Sequence, residues 1–129
     1  RITIALNSWS IMKENLLIGI GTGDFPNEYR KINQINTPQL PPTTNSHNMY
    51  TLIGMQLGLV GLISMFSIFY LQIKRSLVTS NQFIRDVGLV LPILFLVIMW
   101  SDSYLLGHYT TLLFVFFSSF IHKDFDKIE

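Results

Sequence analysis

The run Pro41-Pro42-Thr43-Thr44-Asn45-Ser46-His47-Asn48-Met49-Tyr50 is the densest collection of hydrogen-bonding and proton-accepting side chains in the chain, and a long apolar stretch follows it directly. Ser46 or Asn45 suits the N-cap of a helix starting there, since either side chain can accept a free N–H of the first turn. That spacing predicts His47 within the first turn. The positive end of the helix dipole disfavours an imidazolium there, so a neutral ring able to take a proton is expected. The free N–H groups of the same helix end suit an anionic ligand. The competing reading is a histidine that only caps the helix or makes a hydrogen bond.

Arg1, Arg30 and Lys31 are the cations expected on the same face as His47. Arginine can grip a phosphate through two parallel hydrogen bonds, and lysine acts as a compact charge. Glu14, Asp24 and Glu28 are available as partners or alternative bases. No DxD or DDxxD pair is present, and His47, His108 and His122 are too scattered for a zinc site, so no metal is expected. The absence of cysteine excludes thiolate ligands and disulfides. Gly21-Thr22-Gly23 lacks the Gly-Lys-Ser/Thr that a phosphate loop needs and is expected as a membrane turn. Asp102 and His108 could touch the same site as His47, though an interfacial place is the plainer expectation.

The elements that must position these residues follow from composition. The chain has 129 residues, 49% hydrophobic and only 13% charged, with a mean hydropathy of +0.39. Soluble domains carry about 25% charged residues, and a water-facing fold of this size needs more charged surface. A formal charge of +1 without a basic stripe excludes nucleic acid as a partner. Three stretches approach the length of about 20 apolar residues that crosses a bilayer. They run from Met49 to Ile73, from Val87 to Trp100 (with Phe83 and Ile84 before it and Pro92 inside), and from Tyr104 to Ile121. Their unbroken apolar character predicts helices, since barrel strands would alternate. The expected fold is an all-α membrane bundle fragment with about three transmembrane helices.

Residues 1–48 are expected as an outward segment, and 49–129 as the three spans with a short cytoplasmic tail. Lys74, Arg75 and Arg85, with Lys123 and Lys127 of the tail, mark the cytoplasmic side. The stretch before Met49 and the Ser101–Gly107 turn then share the outer side. Ile2, Leu6, Trp9, Met12 and Leu16 recur near helical spacing, so an amphipathic interfacial helix is predicted, ended by Gly19, Gly21 and Gly23. Asn27–Asn48 reads as a long polar loop, and such loops in membrane proteins are usually functional. Gly54 and Gly58 form a GxxxG face for close helix packing. The whole reads as a piece of a longer polytopic protein.

The order of these features resembles a known family. Arg1, Trp9, the turn Leu17-Ile18-Gly19-Ile20-Gly21-Thr22-Gly23-Asp24-Phe25, Tyr29, then His47-Asn48-Met49-Tyr50 and Gln56-Leu57-Gly58-Leu59-Val60-Gly61-Leu62 follow in sequence. This is similar to the C-terminal conserved region of the bacterial O-antigen ligase and polymerase superfamily, over roughly residues 1 to 75. The resemblance implies a multi-pass glycosyltransferase of the bacterial inner membrane with GT-C-like architecture and a periplasmic loop at 1–48. It implies transfer of a glycan from undecaprenyl diphosphate to lipid A–core, without cofactor or metal, among membrane lipids. The polymerase branch would instead use a second carrier-linked glycan as acceptor. His47 matches the histidine held essential for transfer, and Arg1 the arginine proposed to contact the diphosphate. Arg30, Lys31, Asn48 and Tyr50 are the accompanying substrate-binding candidates. A polysaccharide transporter or flippase is the non-enzymatic alternative, and it would require polar groups near mid-membrane.

Overall fold

The structure, a computed structural model, describes residues 1–122, and every regular element among them is helical. In order these are α1 (Ile2–Glu14), α2 (Phe25–Asn36), α3 (Met49–Val78), α4 (Gln82–Ile98) and α5 (His108–Ile121). A short 3-10 turn at Tyr104–Leu106 precedes α5. Lys123 and Lys127, with the rest of the expected cytoplasmic tail, lie outside the described residues. Two compact units emerge: Arg1–Ser64 together with Met99–Ser103, and Met65–Ile98 together with the chain from Tyr104.

In the first unit α1 packs on α2 with its polarity inverted relative to a water-soluble helix. Ile2, Leu6 and Trp9 are exposed, while Asn7, Ser8 and Ile11 are buried. The buried Asn7 amide is satisfied across the interface, and the network continues within α2 to Asn33. Asn7 Nδ2 donates to Thr37 Oγ1 at 3.1 Å, Asn36 Nδ2 donates to Asn7 Oδ1 at 3.2 Å, and Thr37 Oγ1 donates to Asn33 Oδ1 at 2.7 Å. Ser8 Oγ is buried without a partner among the described residues, but an apolar exterior around a largely hydrogen-bonded polar interior is the arrangement lipid favours, because lipid offers no partner to a polar group.

The expected loop at 27–48 is corrected in its first part, since residues 27–36 lie in α2. Pro26 sits in the first turn, where a missing N–H costs nothing. Phe25, Tyr29 and Asn33 recur every fourth residue and form the buried face, with the two rings 5.4 Å apart. That stripe is narrow, and the polar residues around it mask the helical period.

α3 is the one helix among the described residues long and apolar enough to cross a membrane, and it is not regular throughout. Gly58 adopts φ 62, ψ −155 and interrupts it. The amides of Leu59 and Val60 donate instead to the carbonyls of Leu16 (2.9 Å) and Leu17 (3.3 Å). The carbonyls of Met55 and Gln56, their regular i−4 acceptors, take the amides of Ile20 (2.8 Å) and Gly21 (3.0 Å). Four bonds to the 16–21 turn thus stand in for two helical ones, so the two amides and two carbonyls freed at the break keep partners. Contact this close requires bare backbone. A Cβ on Gly58 would lie 2.4 Å from the Leu17 carbonyl, and one on Gly19 2.4 Å from the Gln56 carbonyl carbon. The GxxxG reading is therefore corrected in kind: Gly58 receives a turn rather than a helix, while Gly54 lies against Met12 of α1.

The second unit holds the rest of α3, α4 and α5. Phe69, Phe95 and Phe114 form its ring cluster, with centroids 5.4 Å apart for Phe69–Phe114 and 5.0 Å for Phe95–Phe114. Gly88 of α4 meets Ser76, and Gln72 Nε2 donates to Ser118 Oγ at 2.6 Å. α4 has 17 residues, beginning at Gln82 with the expected Phe83 and Ile84 but ending before Trp100, while α5, with 14, is shorter than the stretch expected for it. The third apolar stretch is divided at Gly107, where backbone at φ −76, ψ 128 separates the 3-10 turn from α5.

Candidate functional site

The segment Asn45–Tyr50 and the segment Met99–Ser103 come together within the first unit, although residues 51–98 lie between them in sequence. Backbone and side chains join them. The Met49 amide donates to the Met99 carbonyl at 2.9 Å, and Asn48 Nδ2 donates to the Trp100 carbonyl at 3.0 Å. Ser103 Oγ donates to Asn45 Oδ1 at 2.8 Å, and the rings of Tyr50 and Trp100 lie 6.2 Å apart, tilted by 55°. The two segments expected on one side of the membrane thus lie together.

The start of α3 differs from the expectation. Asn48, not Asn45 or Ser46, is the cap: its carbonyl accepts from the Leu52 amide and its Oδ1 accepts from the Thr51 amide at 3.1 Å. His47 therefore precedes the helix instead of lying in its first turn. The reason is its backbone. With φ 52, His47 is the one non-glycine residue of positive φ among the described residues, and that conformation cannot continue a right-handed helix. Asn45 holds the bend by accepting the His47 amide on Oδ1 at 3.1 Å. Ser46 turns its hydroxyl to the Asn48 carbonyl at 2.8 Å, which occupies the group expected to cap.

This bend sets the imidazole beside a carboxylate. His47 Nδ1 lies 3.4 Å from Asp102 Oδ1, within ion-pair range but not oriented as a hydrogen bond, and among the described residues the buried Nδ1 has no hydrogen-bond partner. The Asp102 carboxylate is fixed by the Ser103 amide, which donates to the same Oδ1 at 2.7 Å. Both side chains keep about two-fifths of their surface accessible, so a substrate can reach the pair. Without a hydrogen bond the carboxylate does not fix the ring, but at this distance it can offset a positive charge that forms there. The opposite nitrogen is left to take a proton.

The other candidates fall in different places. Asn48 and Tyr50 join the His47 cluster through the contacts above. Arg1 is exposed at the start of α1 and Arg30 is exposed on α2; among the described residues neither has a carboxylate partner. Lys31 is paired to Glu28 one turn before it. Among the described residues no hydrogen bond or ion pair links Arg1, Arg30 or Lys31 to His47. The cluster members that local spacing does not reveal are Asn45 as a clamp, Ser103 and Trp100, because their roles arise from a contact between distant segments. His108 opens α5 in the second unit.

The family model described as O-antigen ligase matches residues 1–66 of the 129. No curated protein and no solved structure matches the chain.

Proposed function

This chain belongs to the O-antigen ligase family, and from that premise we propose that it transfers a glycan from undecaprenyl diphosphate to lipid A–core at the outer face of the bacterial inner membrane. The observation that carries the reading is the His47–Asp102 pair, accessible and held by a strained backbone where the membrane-crossing helix α3 begins. Strain held at one functional side chain fits a site in which geometry matters more than local stability.

In this reading the acceptor hydroxyl attacks the anomeric carbon of the donor sugar. His47 takes the hydroxyl proton as the new carbon–oxygen bond forms, and Asp102 supports the resulting imidazolium. The bond from the anomeric carbon to the diphosphate oxygen breaks, and undecaprenyl diphosphate leaves with the electron pair. Arg1 and Arg30 stabilise that developing charge, Arg1 by paired hydrogen bonds. Asn48 and Tyr50 shape the acceptor side. Residues 1–48 form the periplasmic segment and α3, α4 and α5 the three spans. The exposed Ile2, Leu6 and Trp9 of α1 support its lying against lipid, with Lys13 above the Trp9 ring at 5.5 Å.

Glycolipid profiling of a deletion strain complemented with His47→Gln tests this. Lipid A–core without long glycan, while carrier-linked polymer accumulates, is the expected result. Loss of the polymer itself, leaving single repeat units, would assign the polymerase reaction instead. Full complementation by His47→Gln would remove the proposed base.

A further inference from the structure

In the second unit, at the C-terminal end of α3, Leu71, Lys74, Arg75 and Val78 line an open cleft of about 460 Å³ together with His122, the residue after α5. Its volume lies within the roughly 300–1,000 Å³ typical of small-molecule clefts. Its chemistry is divided. Leu71 and Val78 are strongly exposed aliphatic walls, while Lys74, Arg75 and His122 supply cationic or donor groups, and among the described residues that line the cleft none is acidic. Lys74 has no carboxylate partner among the described residues. The His122 ring is oriented: Nδ1 lies 3.1 Å from the Ser118 carbonyl, an acceptor only, so Nδ1 carries a proton, and Nε2 donates to a phosphate oxygen when the ring is the imidazolium.

An anion alone would not use the aliphatic walls, and a hydrocarbon chain alone would not use the cations. An amphiphile with a phosphate head uses both. We propose that this cleft binds an anionic phospholipid of the membrane, its phosphate held by Lys74 and His122 with Arg75 adding charge, and its acyl chain on Leu71 and Val78. Basic pockets between membrane helices on the cytoplasmic side recognise such head groups. The glycan-transfer reaction does not enter the argument, so the site stands or falls separately from it.

The test uses the full chain purified in mild detergent, with thermal unfolding and native mass spectrometry read against phosphatidylglycerol, phosphatidylcholine and inorganic phosphate. Phosphatidylglycerol is expected to remain bound and to raise the unfolding temperature, while phosphatidylcholine and inorganic phosphate do neither. Lys74→Gln should weaken phosphatidylglycerol binding by about fivefold, and adding His122→Gln should weaken it further. Lys74→Arg keeps the charge and should keep the binding, which separates a charge effect from a folding defect. Equal binding of phosphatidylcholine, or undiminished phosphatidylglycerol binding by the Lys74→Gln chain, would overturn the proposal. An equal response to inorganic phosphate would assign the cations to a free anion and overturn the lipid.

Discussion

His47 Nδ1 and Asp102 Oδ1 face each other at 3.4 Å across 55 positions of sequence, in a cluster where Asn45 takes both the His47 amide and the Ser103 hydroxyl. The pair separates backbone strain from chemistry. Asparagine tolerates positive φ and can follow the same bend, but it offers no base. His47→Asn is thus expected to unfold within about 0.5 kcal/mol of the parent yet to lose transfer by about 10²–10⁴-fold. His47→Ala should be less stable by roughly 1 kcal/mol, because alanine is penalised at this φ. Thermal unfolding in detergent with an in vitro glycan-transfer assay gives both readings. Activity that tracked stability across the two variants would make His47 a structural residue.

Asp102→Asn keeps size and shape and removes the charge. If the carboxylate supports an imidazolium, transfer should fall by less than it does for His47→Gln, and the double variant should be no worse than His47→Gln alone. Residues acting as one unit are non-additive in this way. Full multiplicative losses in the double variant would show that Asp102 acts elsewhere.

The cations divide by their partners. Lys31 is already engaged by Glu28 in an exposed pair worth only a few tenths of a kcal/mol, so Lys31→Gln should leave transfer nearly unchanged. Arg1 has no such partner among the described residues. Hydrogen bonds to a charged group contribute about 1.5–3 kcal/mol, so Arg1→Gln should lower transfer by roughly 10- to 150-fold. Arg1→Lys, which cannot make the paired contact, should recover only part of that loss. Titrating the carrier-linked donor is the measurement, with an unaltered Arg1→Gln response ending the assignment.

What could be read from the chain follows the range of the forces involved. The apolar stretches and the helix beginning at Met49 are continuous in sequence, and burial of such stretches leaves few other structures open to them. α2 was obscured because its buried stripe is two rings and an asparagine among polar neighbours. The Gly19 and Gly58 positions are visible as glycines, but their meaning is not, since Gly19 is required by the backbone of Gln56 and Leu57 and Gly58 by that of Leu17 and Ile18. Asp102 is a partial case: its place in the turn expected on the same side as His47 makes a meeting possible, but only the fold brings its carboxylate to the ring.

The two glycines can be tested against a third. Gly19→Ala and Gly58→Ala each put a Cβ 2.4 Å from opposing backbone and also impose an unfavourable φ. Neither neighbour is a flexible side-chain end, so each substitution should cost more than about 2 kcal/mol and separate the 16–21 turn from α3. Gly23 has a positive φ but nothing within 4 Å of its Cβ position. Gly23→Ala should therefore cost only the conformational term, roughly 1–2 kcal/mol. Hydrogen exchange at the Leu59 and Val60 amides checks the mechanism: both should lose protection in Gly58→Ala and keep it in Gly23→Ala.

Asn48 links the helix start to the segment that carries Asp102, and its two functions use different atoms. Oδ1 caps the Thr51 amide, while Nδ2 holds the Trp100 carbonyl. Asn48→Ala removes both and should lower stability by about 1 kcal/mol together with transfer. Asn48→Asp keeps a cap that the helix dipole favours, but it has no N–H for Trp100. It should regain the stability lost in the alanine variant without regaining transfer, because Asp102 is no longer held opposite His47. Recovery of both in Asn48→Asp would mean that capping alone sets the site, and that the bond to Trp100 contributes nothing to holding the carboxylate.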